Sequence, residues 1–191
     1  MDQTILVLDT EVFFTNMLIT PMGFFTEFYE IWSQGFKAGY LVSVDAVYDD
    51  LQKSLNNNRQ RYQLHLDWLL KHKSSFQDIT AEESRILRWA LADPKNRALF
   101  PETQLLAGWP QPNALAVAKA ASLNGVMVTN ALYKDGYVNN VIDLCLYLDV
   151  PYIDIFDFNR ALYFNVGQNK PFFETVEVQN ASPVRALRLA H

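Results

Sequence analysis

The chain has 191 residues, half of them apolar, with 16 Lys and Arg against 21 Asp and Glu for a formal net charge of -5. At roughly 150 residues per domain that is one domain with ample material for a core, and the charge excludes a strongly cationic nucleic-acid binder, so any phosphate contact must come from a local patch. The single cysteine, Cys145, excludes a disulfide framework and a multi-cysteine zinc site, while short apolar runs and a start lacking a signal-peptide pattern predict a cytoplasmic protein with no membrane contact.

Thr4 to Leu8 is a continuous apolar run bounded by Asp9-Thr10, the pattern of a strand buried on both faces. Phe24, Phe25, Phe28, Ile31 and Trp32 recur at helical spacing and predict a helix to Lys37; Tyr40 to Ser43 reads as a second strand. Helical spacing resumes at Val44 and ends at Asn56-Asn57-Asn58. From Gln60 to Gly108 the pattern is helical with no convincing strand: one helix around Leu64, Trp68 and Leu69, and another over Ile86 to Leu91. Thr80 and Glu83 open the second helix at capping-box spacing, and Asp93-Pro94 stops it. Asn113 to Asn124 is an alanine-rich helix, Val126 to Thr129 a buried strand, Val138 to Leu148 a helix, Tyr152 to Ile155 a strand and Phe156 to Tyr163 a closing helix. This alternation predicts a three-layer α/β/α domain over residues 1–165 with a mostly parallel sheet and a helical insert. Residues 166–191 form a tail that adds an edge strand or an interface segment. The Trp and Phe residues, mostly at helical spacing, read as core.

In such sheets ligands bind beyond the carboxyl ends of the strands, which makes Asp9 the first residue to suspect. Converging carboxylates there would hold Mg²⁺ or Mn²⁺ for phosphodiester chemistry; alone, Asp9 would cap the next helix. Glu11 is either a second carboxylate or a solvated loop residue. Asp49 and Asp50 are adjacent on a helix and cannot face one point; Asp50, on the Val47 and Leu51 side, is the better candidate against a plain solvated face. Asp143 stands in an apolar helix, where a carboxylate needs a partner or a metal. The three histidines have no ligand spacing, the seven glycines form no phosphate loop, and Cys145 reads as a small core residue rather than a nucleophile.

Ile5-Leu-Val-Leu-Asp-Thr10, Val47-Tyr-Asp-Asp-Leu51, Asn113-Ala-Leu-Ala-Val-Ala-Lys-Ala120 with Gly125-Val-Met-Val-Thr-Asn130, and Ile142-Asp-Leu-Cys145 with Val150-Pro151, in that order, resemble the blocks of the PIN superfamily. More narrowly they resemble a bacterial PIN-like family related to VapC-type toxins, over about Thr4 to Leu162. The resemblance implies a metal-dependent ribonuclease of toxin or defence type. It implies Asp9, Asp50 and Asp143 as catalytic acids, and a Mg²⁺ or Mn²⁺ site drawn from Asp9, Glu11, Asp50, Asn113, Asn130 and Asp143. It also implies an RNA substrate, an antitoxin-like protein partner and a homodimer, for which Phe172, Phe173, Val176 and Val178 would supply an apolar surface. Three positions depart from the pattern: Asn113 and Asn130 stand where acids are usual, and Glu11 stands where a small polar residue, often Asn, is expected. Asparagine keeps a carbonyl oxygen but loses the charge and the general-base capacity. The alternative is therefore a catalytically degenerate PIN-like protein that binds RNA or a protein partner without cleaving anything.

Overall fold

Leu6–Leu8 (β1) has apolar neighbours on both faces and is wholly buried, as a central parallel strand must be. The computed structural model describes residues 4–100, 111–130 and 140–165; the expected tail of 166–191, with its edge strand and dimer surface, lies outside them. Leu41–Val44 (β2) and Val126–Thr129 (β4) are equally buried and flank β1 in parallel, with Leu6 opposite both Leu41 and Val126. Phe76–Gln77 (β3) and Tyr152–Asp154 (β5) add the outer strands, giving the order β3-β2-β1-β4-β5 with every pairing parallel. The domain is thus α/β with helices on both faces of the sheet, as expected, and the sheet is parallel throughout.

Thr10–Ile19 (α1), Thr26–Ala38 (α2) and Ile155–Asn165 (α9) share an aromatic layer in which the Trp32 ring meets Phe13 at 5.5 Å and Phe158 at 5.6 Å. Asp45–Asn56 (α3) packs on β2 and β3 and is followed by Arg59–Lys71 (α4) and a 3-10 turn, Lys73–Ser75. Ala81–Ala92 (α5), the short Pro94–Arg97 (α6), Pro112–Ser122 (α7) and Asn140–Tyr147 (α8) complete the described helices, with α7 packed against both α5 and α8.

Two elements differ from the sequence reading. The segment Gln60 to Gly108 contains β3, whose two residues are too few to carry a period. A helix, α1, also follows Asp9 directly: Val12, Phe13 and Met17 are buried while Leu18 and Ile19 on the same helix are exposed, so no apolar stripe separates from a polar one. Phe24, Phe156 and Trp89 are exposed, at 88%, 60% and 60%, and are not core residues as helical spacing implied. The Thr80–Glu83 capping box is present in full, and α5 stops before Asp93 and Pro94 as read.

α7 and α8 end alike. Gly125 N–H donates to Ala120 O and Asn124 N–H to Ala121 O, with Asn124 at φ 49°; Val150 donates to Cys145 O and Asp149 to Leu146 O, with Asp149 at φ 52°. Both are Schellman endings with a polar residue in the left-handed position, and each delivers the chain into a buried strand. Gly125 is required by proximity, since a Cβ on it would stand 2.8 Å from the backbone oxygen of Ile5. Gly125→Ala is expected to push α7 off β1 at a cost of about 1–3 kcal/mol, read as a lower urea midpoint with an unchanged slope.

Candidate functional site

Chain direction across the sheet reverses between β1 and β4: β2 and β3 extend to one side of β1, β4 and β5 to the other. In sheets of this kind ligands bind at such a switch point, which here lies at the carboxyl ends of β1 and β4. Asp9 follows β1 there. Its N–H donates to Val128 O at 3.3 Å, its Oδ1 accepts the Val12 N–H at 2.9 Å as the N-cap of α1, and its Oδ2 accepts the Thr129 hydroxyl at 2.5 Å. The carboxyl has no exposed surface. Burial is the dominant influence and pushes its pKa up to about 7, against the hydrogen bonds from Thr129 and Val12, with the charge of Glu11 adding to the rise.

Asn113, at the start of α7, crosses to the same place: its Oδ1 accepts the Thr10 N–H at 3.2 Å. Asp9 and Asn113 therefore share the free N–H groups at the start of α1. The neighbouring Thr10 hydroxyl is buried without a hydrogen-bond partner among the described residues. Ser43, buried in β2, donates to Leu8 O at 2.7 Å and ties β2 to the end of β1. Cys145 is fully buried, and burial, with the charge of Asp9 as a lesser influence, pushes its thiol far up. It is an inert core thiol, as its apolar helix suggested.

The other expected residues are more scattered. Glu11 is exposed on the first turn of α1, and Asn130 is half-buried directly after Thr129. Asp50 is half-buried on α3, less exposed than Asp49 as the Val47 and Leu51 side implied; Asp143 is half-buried in the first turn of α8 and has an interaction of its own. Among the described residues no three His, Cys, Asp or Glu side chains come together to hold a metal ion. The expected set of Asp9, Glu11, Asp50 and Asp143 is therefore not gathered into one cage. What the structure does bring together is Asp9, Thr129, Thr10 and Asn113, with Glu11 within reach of Asp9 by charge. The sequence reading missed Thr129. The only signal for it was a hydroxyl residue ending the strand next to β1.

A divalent ion finds a partial fit here. Asp9 and Glu11 are hard oxygen donors, and Mg²⁺ commonly takes one or two carboxylates with water and phosphate oxygens completing its shell, but Asp9 already accepts bonds from Thr129 and from the Val12 and Glu11 N–H groups and has no exposed surface. The Asn113 oxygen is already engaged by Thr10.

A family model described as a domain of unknown function, DUF4411, matches residues 6–166. No curated protein and no solved structure matches the chain. No helix among the described residues is long and apolar enough to cross a membrane.

Proposed function

The chain belongs to the DUF4411 family, and we propose that this member is a PIN-like, metal-dependent ribonuclease of toxin or defence type that hydrolyses RNA phosphodiesters at the Asp9 crevice. The observation that carries the reading is Asp9 itself, a fully buried carboxyl at the switch point, held at both oxygens and raised to about 7. A strongly perturbed acid in a strand-end crevice is a site candidate on physical grounds. Asp9 and Glu11 would hold the ion, and Asn113 and Asn130 would border it as neutral groups. Bound there, Mg²⁺ or Mn²⁺ supplies Lewis-acid polarisation of the phosphodiester and acidifies a water molecule. The protein's part is orientation: the Thr129 hydroxyl and Val12 N–H fix both Asp9 oxygens, while Asn113 fixes the first peptide of α1. A cytoplasmic setting, an antitoxin-like restraining partner and a homodimer belong to the same proposal.

The second reading, a degenerate PIN-like scaffold that binds RNA or a protein partner without cleavage, is favoured by the lack of a third acid beside Asp9 among the described residues and by the engagement of the Asn113 oxygen with Thr10. A single-stranded RNA cleavage assay with Mn²⁺ separates the two. Under the first reading the wild type cleaves only with metal and Asp9→Asn loses about 100-fold or more; RNA retained without turnover selects the second. Cleavage equal in Asp9→Asn removes Asp9 from the site altogether.

A further inference from the structure

A cavity of about 700 Å³ opens between the end of α2, the start of β2, the end of α4 and the 3-10 turn leading to β3. None of the Asp9-site residues lines it. In a chain with an excess of five negative charges, no Asp or Glu lines this cavity, whereas Lys37 and Lys71 both do, together with His72, Ser33, Ser75 and Gln77. Neither lysine has an ion-pair partner among the described residues, and both are exposed. Each lysine lies in the last turn of its helix and so offsets a helix dipole. That role needs one cation per helix and does not require the two to border one cavity.

The wall beneath them is rigid. Ser33 Oγ donates to Tyr29 O at 2.7 Å and accepts the Trp68 indole N–H at 3.0 Å, with His72 Nε2 at 2.9 Å. A hydroxyl has a single proton, already given to Tyr29, so His72 must carry its hydrogen on Nε2 and donate to Ser33. The His72 ring is further held against Trp68 at 4.8 Å and Phe36 at 5.7 Å. Ser33 is therefore not a nucleophile, and the network serves to fix the cavity wall. By contrast, the side chains of Ser75 and Gln77 make no hydrogen bond within the described structure, which leaves donors free beside the two ammonium groups.

We infer that this cavity is a binding site for a small phosphorylated molecule of nucleotide size. Its volume exceeds that of a lone phosphate and falls in the range of small-ligand pockets, and two unpaired lysines with free hydroxyl and amide donors suit a phosphate. The inference is independent of the ribonuclease reading.

The test is titration of the full chain with AMP, followed by amide NMR shifts and by calorimetry at low and high salt, beside the double variant Lys37→Gln/Lys71→Gln. Both lysines are exposed, so the variant is expected to keep the wild-type circular dichroism and melting temperature. Saturable AMP binding with shifts at Gly39, Ser75 and Gln77, weakened about tenfold or more in the double variant and by salt, supports the site. Absence of saturable binding, or equal binding in the variant, overturns it. Lysine-dependent binding of a single-stranded RNA oligomer without any binding of AMP also overturns it, since the surface would then be a polynucleotide track rather than a small-molecule pocket.

Discussion

Lys119→Ala is expected to lower the stability of the domain by about 3–5 kcal/mol, the cost of leaving one member of a buried ion pair without the other. Lys119 and Glu83 are 2% and 3% exposed, with Nζ 2.9 Å from Oε1. Nζ also donates to Asp78 O at 3.0 Å, while Glu83 accepts the Ser122 hydroxyl at 3.0 Å and the Thr80 N–H at 2.7 Å. The pair thus joins α5 to α7 and to the segment after β3. Burial acts to raise the Glu83 carboxyl, but the bonds from Lys119, Thr80 and Ser122 together outweigh it and hold the pKa below its ordinary value. Without Lys119 the largest opposing influence is gone, and burial is opposed by the Thr80 and Ser122 bonds alone.

At about 2–4 °C per kcal/mol for a chain of this size, the melting temperature should fall by roughly 6–20 °C, measured by calorimetry near neutral pH. Replacing both members, as Lys119→Met with Glu83→Gln, should recover a large part of the loss, because Gln retains the acceptor for Thr80 and no charge is stranded. The sign of the pH dependence follows from the depressed carboxyl: its stabilisation is present above the unfolded pKa and is lost as pH falls through the folded one. The gap between wild type and Lys119→Ala should therefore narrow in acid. A single variant within about 1 kcal/mol of wild type would show that the pair carries little of the α5–α7 contact.

Four of the five strands were legible because a strand buried on both faces leaves a mostly apolar run, as in Val126–Thr129, even with Ser43 inside β2 and Asp154 ending β5. Their ends were less legible: Thr4 and Ile5 belong to the run read as a strand, but only Leu6 and Val7 pair on both sides and Leu8 pairs with β4 alone. α1 was hidden by its lack of a polar face and β3 by its length. Lys119 was hidden differently. In a helix whose residues Ala114 to Ala120 are all buried, a lysine is under the same constraint that drew attention to Asp143, yet one cation amid alanines passes for a solvated face. At the candidate site Asp9 was readable from its position after a strand, and so was its alternative role as a helix cap, which the structure contains. Whether Asp50 and Asp143 meet it was not readable, because that depends on how α3 and α8 are rotated and displaced relative to the sheet, and the order of motifs does not fix those angles.

Asp9→Asn should make the metal-free protein more stable in mild alkali. Burial, the largest influence, moves Asp9 from its ordinary 3.8 to about 7. Between those values the folded chain retains a proton that the unfolded chain has released, so stability falls as pH rises across the interval. The contribution of this group is complete below about 3.8 and gone above about 7. Some three pH units at 1.36 kcal/mol each set its size at the order of 4 kcal/mol. The asparagine amide is uncharged and close in shape; its oxygen can still accept the Val12 N–H, and its NH₂ can donate to the Thr129 oxygen. The variant should match the wild type near pH 4 and exceed it by up to about 4 kcal/mol near pH 8, measured by urea unfolding in chelator.

Divalent metal should then close much of that gap. An ion at Asp9 favours the ionised carboxylate, and at about 100 times its dissociation constant it adds roughly 2.7 kcal/mol to the wild type. The variant, lacking the charge, should not respond to Mn²⁺. A variant no more stable than wild type in alkali would mean that Asp9 is ionised without penalty and that the crevice is wetter than its burial implies. Equal stabilisation of both proteins by Mn²⁺ would put the ion somewhere other than the switch point. The two halves of the experiment are separable: the first concerns the folded environment of one carboxyl and the second its use. A protein that passes the first and fails the second keeps Asp9 as the cap of α1 and loses it as a metal ligand, which is the condition under which binding without cleavage becomes the better account of this chain.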